Sequence, residues 1–169
     1  MKKEVEKLLQ YVQKPARYIG GELNAVVKDK ESVDIRYAFC FPDTYEIGMS
    51  HLGMKILYGL VNEREDAWCE RVFAPDNDME EQLRKNNVPL FALESGDYIR
   101  DFDMIGFTLQ YELCYTNVLN MLDLAGVPIK SSERKSLTPI VCFGGPCCCN
   151  PEPVADFADI IFLGEGEES

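Results

Sequence analysis

Short apolar runs alternate with amphipathic or polar stretches along most of this chain, and their period decides what each can become. Residues 33–41, 67–73, 88–93, 103–109 and 159–163 are runs of strand length, as is the stretch Pro139-Ile140-Val141-Cys142-Phe143-Gly144-Gly145-Pro146. Several are apolar at consecutive positions, so both faces must be buried, as in a parallel sheet. Between them, residues 48–62 carry Leu52, Ile56 and Leu60 on one i, i+4 ridge and Gly53, Leu57 and Val61 on the next. That wide stripe is expected to face the sheet. Residues 76–86 read as a polar helix with Asp76 as N-cap after Pro75. Residues 111–125 read as a helix with Tyr111, Cys114, Tyr115, Val118, Leu122 and Ala125 on one face, stopped by Gly126 and Pro128.

The alternation predicts an α/β, flavodoxin-like three-layer sandwich with a mostly parallel sheet of about five strands and right-handed crossovers. Residues 4–12 form a short helix with Val5, Leu8, Leu9 and Val12 on one face, ended by Pro15, and Arg17-Tyr18-Ile19-Gly20-Gly21-Glu22 leads into the domain. The expected organisation is a helix and arm over 1–32 and an α/β domain over 33–169.

In an open parallel sheet, ligands lie at the carboxyl ends of the strands. Four strand ends bring candidate residues there: Pro42, Asp43, Thr44, Tyr45, Glu46 and Gly48; Thr108, Leu109, Gln110, Tyr111 and Glu112; Gly144, Gly145 and Pro146; Gly164, Glu165, Gly166 and Glu167. These loops hold no Lys or Arg, so a bound anion would rely on backbone N–H groups. A large, nearly neutral ligand is easier to satisfy. Asp43, Glu46, Glu112 and Glu165 are open to two readings, as proton-transfer groups or as helix caps and loop acceptors.

The motifs resemble a known family. Phe143-Gly144-Gly145-Pro146, Asn150-Pro151-Glu152-Pro153, Asp159 and Gly164-Glu165-Gly166-Glu167 are similar to the amino-terminal cobalamin-binding-like domain of cobalamin-dependent radical SAM proteins. Arg17-Tyr18-Ile19-Gly20-Gly21-Glu22, residues 41–53 and Leu109-Gln110-Tyr111-Glu112-Leu113-Cys114-Tyr115-Thr116-Asn117 resemble a bacterial branch often called Fe-S oxidoreductases. The resemblance implies a radical SAM barrel after this domain, in cis, holding the 4Fe-4S cluster and S-adenosylmethionine. It also implies cobalamin over the carboxyl edge, its nucleotide tail beside Gly144 and Gly145. On this reading the present chain is cut before the barrel and catalyses nothing alone.

Cobalamin mutases and methionine synthase carry Asp-x-His-x-x-Gly, with the His on cobalt. Here the single histidine, His51, has Met49 and Met54 at the Asp and Gly positions. His51 is therefore a cobalt ligand or a locally bonded first-turn residue, and no other residue is expected to hold metal. Its missing motif and the bulky Tyr45, Gln110 and Tyr111 favour an alternative: a cofactor-free docking domain that covers the barrel and shapes its substrate site. Cys147, Cys148 and Cys149 are adjacent and so point in different directions, unlike spaced metal-binding pairs.

Composition narrows the partners. The net charge is −12. Residues 1–36 hold eight Lys/Arg against six Asp/Glu, and the remainder nine against twenty-three. Nucleic acid is not indicated, because binding phosphates needs clustered cations. No apolar run approaches membrane-spanning length, the start lacks a signal-peptide core, and the seven cysteines fit reduced thiols. A cytoplasmic location is expected.

Overall fold

Five of the short apolar runs pair, all parallel, in the order β2-β1-β3-β4-β5. The computed structural model describes residues 2–164. The strands are β1 (Ile35–Phe41), β2 (Ala67–Phe73), β3 (Met104–Thr108), β4 (Ile140–Gly144) and β5 (Ile160–Ile161). The helices are α1 (Lys3–Leu8), α2 (Tyr45–Ser50), α3 (Leu52–Glu63), α4 (Asn77–Asn86) and α5 (Tyr115–Ala125). This is a flavodoxin-like α/β order.

Strand alternation sorts the core into two. Ala38, Cys40, Val72, Ile105, Phe107, Val141 and Phe143 join Met79 and Leu83 of α4 and Val118, Met121 and Leu122 of α5. Val5, Leu8 and Val12 belong to the same core, and the amino-terminal turns pack against α4 within that layer. On the other face, Phe39, Phe41 and Cys69 meet Met54 and Tyr58 of α3. Burying each such large side chain contributes roughly 1.5–3 kcal/mol.

Three sequence expectations change. Residues 88–93 are extended and largely buried but are not a sheet strand. Leu93 N–H bonds Arg71 O, Ala92 N–H bonds Asp97 O, and Gly96 at φ +73° turns the chain back on itself. Pro89 has no N–H to give a ladder. The expected single helix over 48–62 is two, because His51 adopts an extended conformation (φ −79°, ψ 116°) between α2 and α3. Finally, the α3 ridge is rotated: Met54 and Tyr58 are buried, whereas Leu52, Ile56 and Leu60 are 69%, 42% and 41% exposed.

The remaining boundaries follow the local chemistry. Asp76 caps α4 by accepting the Asn77 N–H. Gly126 closes α5 in the left-handed region, φ +72°, which its lack of Cβ permits. The arm fastens α3 at its far end, where Lys28 Nζ donates to the carbonyls of Asn62, Arg64 and Ala67 at 2.9, 2.5 and 2.7 Å. A cation there satisfies orphan carbonyls and the negative helix end.

Two substitutions test this packing. Lys28→Met should lower unfolding free energy by about 1–2 kcal/mol, read from urea denaturation. Gly106→Ala places a methyl into the Tyr37 ring and hydroxyl. It should cost about 1–3 kcal/mol by overpacking, visible as a lowered Tm.

Candidate functional site

The loop after β1 is tied to the loop after β3 by side chains of the chain itself. The Asp43 carboxylate accepts the Thr44 N–H at 2.7 Å and the Tyr111 hydroxyl. Asn117 Nδ2 donates to Pro42 O at 2.9 Å. The bond to Asp43, with burial second, pushes the Tyr111 hydroxyl up to about 12. The crevice at the point where strand order reverses, between β1 and β3, is thus bridged.

The loops after β3 and β4 interlock as well. Leu109 is fully buried, its N–H donating to Gly144 O at 2.7 Å and its carbonyl accepting the Cys147 N–H at 3.1 Å. Gln110 Nε2 donates to Thr108 Oγ1 at 2.6 Å. Gly145 has φ +99°, and a Cβ there would lie 2.9 Å from the backbone N and O of Leu109. The close approach that requires glycine at 145 is made by the protein's own chain. Pro146 opens the 3-10 turn Pro146–Cys149.

Gly144 and Gly164 differ. A Cβ at Gly144 would meet only Phe162 Cβ, at 3.9 Å, and one at Gly164 would meet nothing within 4 Å. Glu165 and Gly166 lie outside the described residues.

Tyr45, Glu46 and Gly48 turn toward the arm and β2. Tyr45 Oη donates to Glu22 at 2.7 Å and its ring stands edge-on to Phe73. Burial, then Glu22, pushes its hydroxyl up to about 12. Glu46 pairs with Arg17 at 2.9 Å and Lys14 at 3.3 Å. Gly48 is where α2 presses on Phe73, leaving no room for a side chain.

His51 is a helix cap. Its Nδ1 accepts the Met54 N–H at 3.1 Å and its ring lies 5.2 Å from that of Phe41. An accepting Nδ1 leaves the proton of a neutral imidazole on Nε2, which then has no lone pair for a metal. All seven cysteines are free, with Cys148 buried and Cys149 exposed. Among the described residues no group of three or more His, Cys, Asp or Glu side chains is placed to hold a metal ion.

Sequence reasoning missed the cluster that clamps the arm. Arg71, inside a strand pattern, donates to Glu94 Oε1 at 2.6 Å and Glu22 Oε2 at 2.8 Å, and lies over the Tyr58 ring. Burial raises Glu94 despite Arg71. Burial opposes the Glu22 carboxylate too, yet bonds from Tyr45 and its own loop, with Arg71, hold it below the usual range. Its partners come from segments 23 and 49 residues away, so no local signal announces it. Two cavities of about 20 and 310 Å³ lie under the arm and between α4 and the end of α5. None of Asp43, Tyr45, Thr108, Gln110, Gly144 or Gly145 lines either one.

The family described as radical SAM proteins, N-terminal, matches residues 53–169, well over half of the chain. The chain belongs to this family of radical SAM N-terminal domains. The family supports the radical SAM assignment carried by the motifs and leaves cobalamin as a separate question. An uncharacterized protein of Methanocaldococcus jannaschii is similar, 29% identical over 133 residues. That alignment covers 78% of this chain and 24% of the relative, so the chain spans about a quarter of the protein it matches. No solved structure matches. Among the described residues no helix is long and apolar enough to cross a membrane.

The arm of this radical SAM N-terminal domain makes an acid-sensitive contact. Arg17 donates to both Glu46 and Asp76, and these bonds hold both carboxyls below their usual range. A depressed folded-state pKa gives stability that is complete above the unfolded value and is lost as pH falls through the folded one. The stability advantage of wild type over Arg17→Met should therefore be full at neutral pH, persist into the ordinary carboxylate range and vanish beneath it. Paired urea titrations across pH check this, and a pH-independent difference would refute it.

Proposed function

We propose that this domain is an accessory module of a radical SAM enzyme whose carboxyl edge docks on the catalytic domain in cis and shapes its substrate site without holding a cofactor of its own. The 4Fe-4S cluster and S-adenosylmethionine belong to that catalytic domain. The observation that carries the reading is what the edge displays. Ile47 of α2, Leu52 at the start of α3, Leu113 after β3 and Leu163 after β5 are 49%, 69%, 84% and 67% exposed. Exposed apolar side chains on the loops of this edge are the kind of group that a docking partner covers.

The fit to cobalamin is poor where a tail would need to enter. Tyr111 and Asp43 bridge the switch point, Leu109 fills the space beside Gly145, and His51 spends Nδ1 on its helix. One observation favours the second reading, in which the edge presents cobalamin: Gly144 is not crowded by the chain, a Cβ there meeting only Phe162 Cβ at 3.9 Å. Cobalamin would supply a methyl carrier or redox partner there.

Two measurements on the full-length protein separate the readings. Leu113→Asp should speed amide exchange over residues 110–114 by about tenfold or more while the Tm of this domain stays unchanged, as expected for loss of a covering partner. Rapid exchange already in wild type would remove the docking reading. Incubation with hydroxocobalamin and desalting should leave no corrinoid absorbance; retained cobalamin would establish the second reading.

A further inference from the structure

The junction between α2 and α3 is closed by an imidazole, where helices ordinarily take an oxygen side chain as cap. His51, in extended backbone (φ −79°, ψ 116°), ends α2 and precedes α3. Its N–H donates to Gly48 O at 3.1 Å, and its Nδ1 accepts the Met54 N–H at 3.1 Å. One residue thus terminates one helix with its backbone and starts the next with its ring.

The surroundings hold the ring there. It lies tilted against Phe41, with centroids 5.2 Å apart. A Cβ on Gly53 would stand 3.0 Å from Cε1 and 3.5 Å from Nδ1, so glycine at 53 lets the ring fold over the first turn of α3. Among the described residues no carboxylate is ion-paired with His51. The charged groups of the neighbouring elements are engaged elsewhere. Glu46 of α2 pairs with Lys14 and Arg17, and Asp43 after β1 accepts from Thr44 and Tyr111. Arg71, which reaches Met49 of α2, is taken by Glu22 and Glu94, and Lys55 of α3 is exposed.

An oxygen cap accepts throughout the neutral range, and an imidazole does not. When the ring takes up a second proton, both nitrogens become donors. Histidine is the side chain that makes this change at about pH 5–8. The Met54 N–H then faces a donor, and a positive charge sits at a helix N-terminus, the end that favours negative charge. The carbonyl end of α2, on the other side of the same residue, favours the cation. Both effects push a charged ring off α3 and toward α2.

We propose that His51 is a proton-operated cap: neutral, it closes the first turn of α3; protonated, it releases that turn and swings to the carbonyl end of α2. The cap's contribution is present at neutral and higher pH and is lost as pH falls. Ile47 and Leu52, the exposed apolar groups on either side of the junction, lie on the carboxyl edge, so the switch sets the order of that surface. It rests on the capping geometry alone and stands whether or not the edge docks on the catalytic domain.

The test is amide hydrogen exchange of the full-length protein at about pH 8 and about pH 5, read by mass spectrometry with electron-transfer fragmentation and corrected for intrinsic rates. Protection at Met54 should fall about fivefold or more at the lower pH. His51→Asn, whose side-chain oxygen accepts at either pH, should retain it, and His51→Ala should lack it at both. The start of α4 is the internal control. Asp76 there accepts the Asn77 N–H, and its bond to Arg17 holds its carboxyl below the usual range, so it stays a charged acceptor at both pH values. Equal protection of Met54 at the two pH values in wild type, the same fall in His51→Asn, or an equal fall at Asn77 would each overturn the proposal. Wild type against His51→Asn decides the matter even where His51→Ala does not fold.

Discussion

A parallel sheet whose strands are apolar on both faces needs cover on both, and that requirement organises this domain. Parallel strands cannot be joined by hairpins, so each crossover must carry a covering element with it. The crossovers through α4 and α5 lie on one face, where α1 joins them, and that core takes in side chains from β1 to β4. The crossover through α3 serves the other face alone and reaches only β1 and β2. The asymmetry comes from strand order: starting at β1, the chain moves outward once to β2 and then three times the other way.

Charges at the margins of the sheet follow from the same economy of cover. Arg36 of β1 reaches diagonally to Glu70 of β2, which is fully buried and also accepts the Ser95 N–H. Arg71 reaches from β2 to Glu94, buried to 1%, and to Glu22 of the arm. Buried ion pairs seldom add net stability, yet removing one partner strands a charge at a cost of about 3–5 kcal/mol. Their role here is to specify which segments close the β2 edge. The arm and the 94–97 turn satisfy charges that an ordinary apolar strand would not carry.

The alternating period of the chain made the sheet legible: β2 has the boundaries its apolar run implied, and β1, β3 and β4 differ by a few residues at most. Period alone could not tell a strand from a buried extended segment at 88–93, because Leu90, Phe91, Ala92 and Leu93 are all buried outside the parallel sheet, with a single isolated bridge from Phe91 to Tyr98. Nor could it fix the rotation of α3. Leu52-Ile56-Leu60 and Met54-Tyr58 are both plausible apolar ridges, and two contacts decide between them: Asn62 to Cys69 of β2, and Lys28 to the Asn62 carbonyl 34 residues away. At the carboxyl edge, the gathering of Asp43, Thr108, Gln110 and Gly145 was readable from topology. That Tyr111 closes on Asp43 was not, since it depends on two loops 68 residues apart.

Glycines at this edge carry the sharpest argument about its use, because a glycine is informative only about whatever approaches it. At 48, 106 and 145 the approaching groups are Phe73, Tyr37 and Leu109. Those three positions are accounted for within the domain, so they give no reason to invoke a ligand. Gly144 has only Phe162 nearby, and Gly164 has nothing within 4 Å. Both lie at the carboxyl ends of β4 and β5. The crowded glycines therefore lend no support to a ligand in the bridged crevice between β1 and β3, and the uncrowded ones at this edge, Gly144 and Gly164, lie toward β4 and β5.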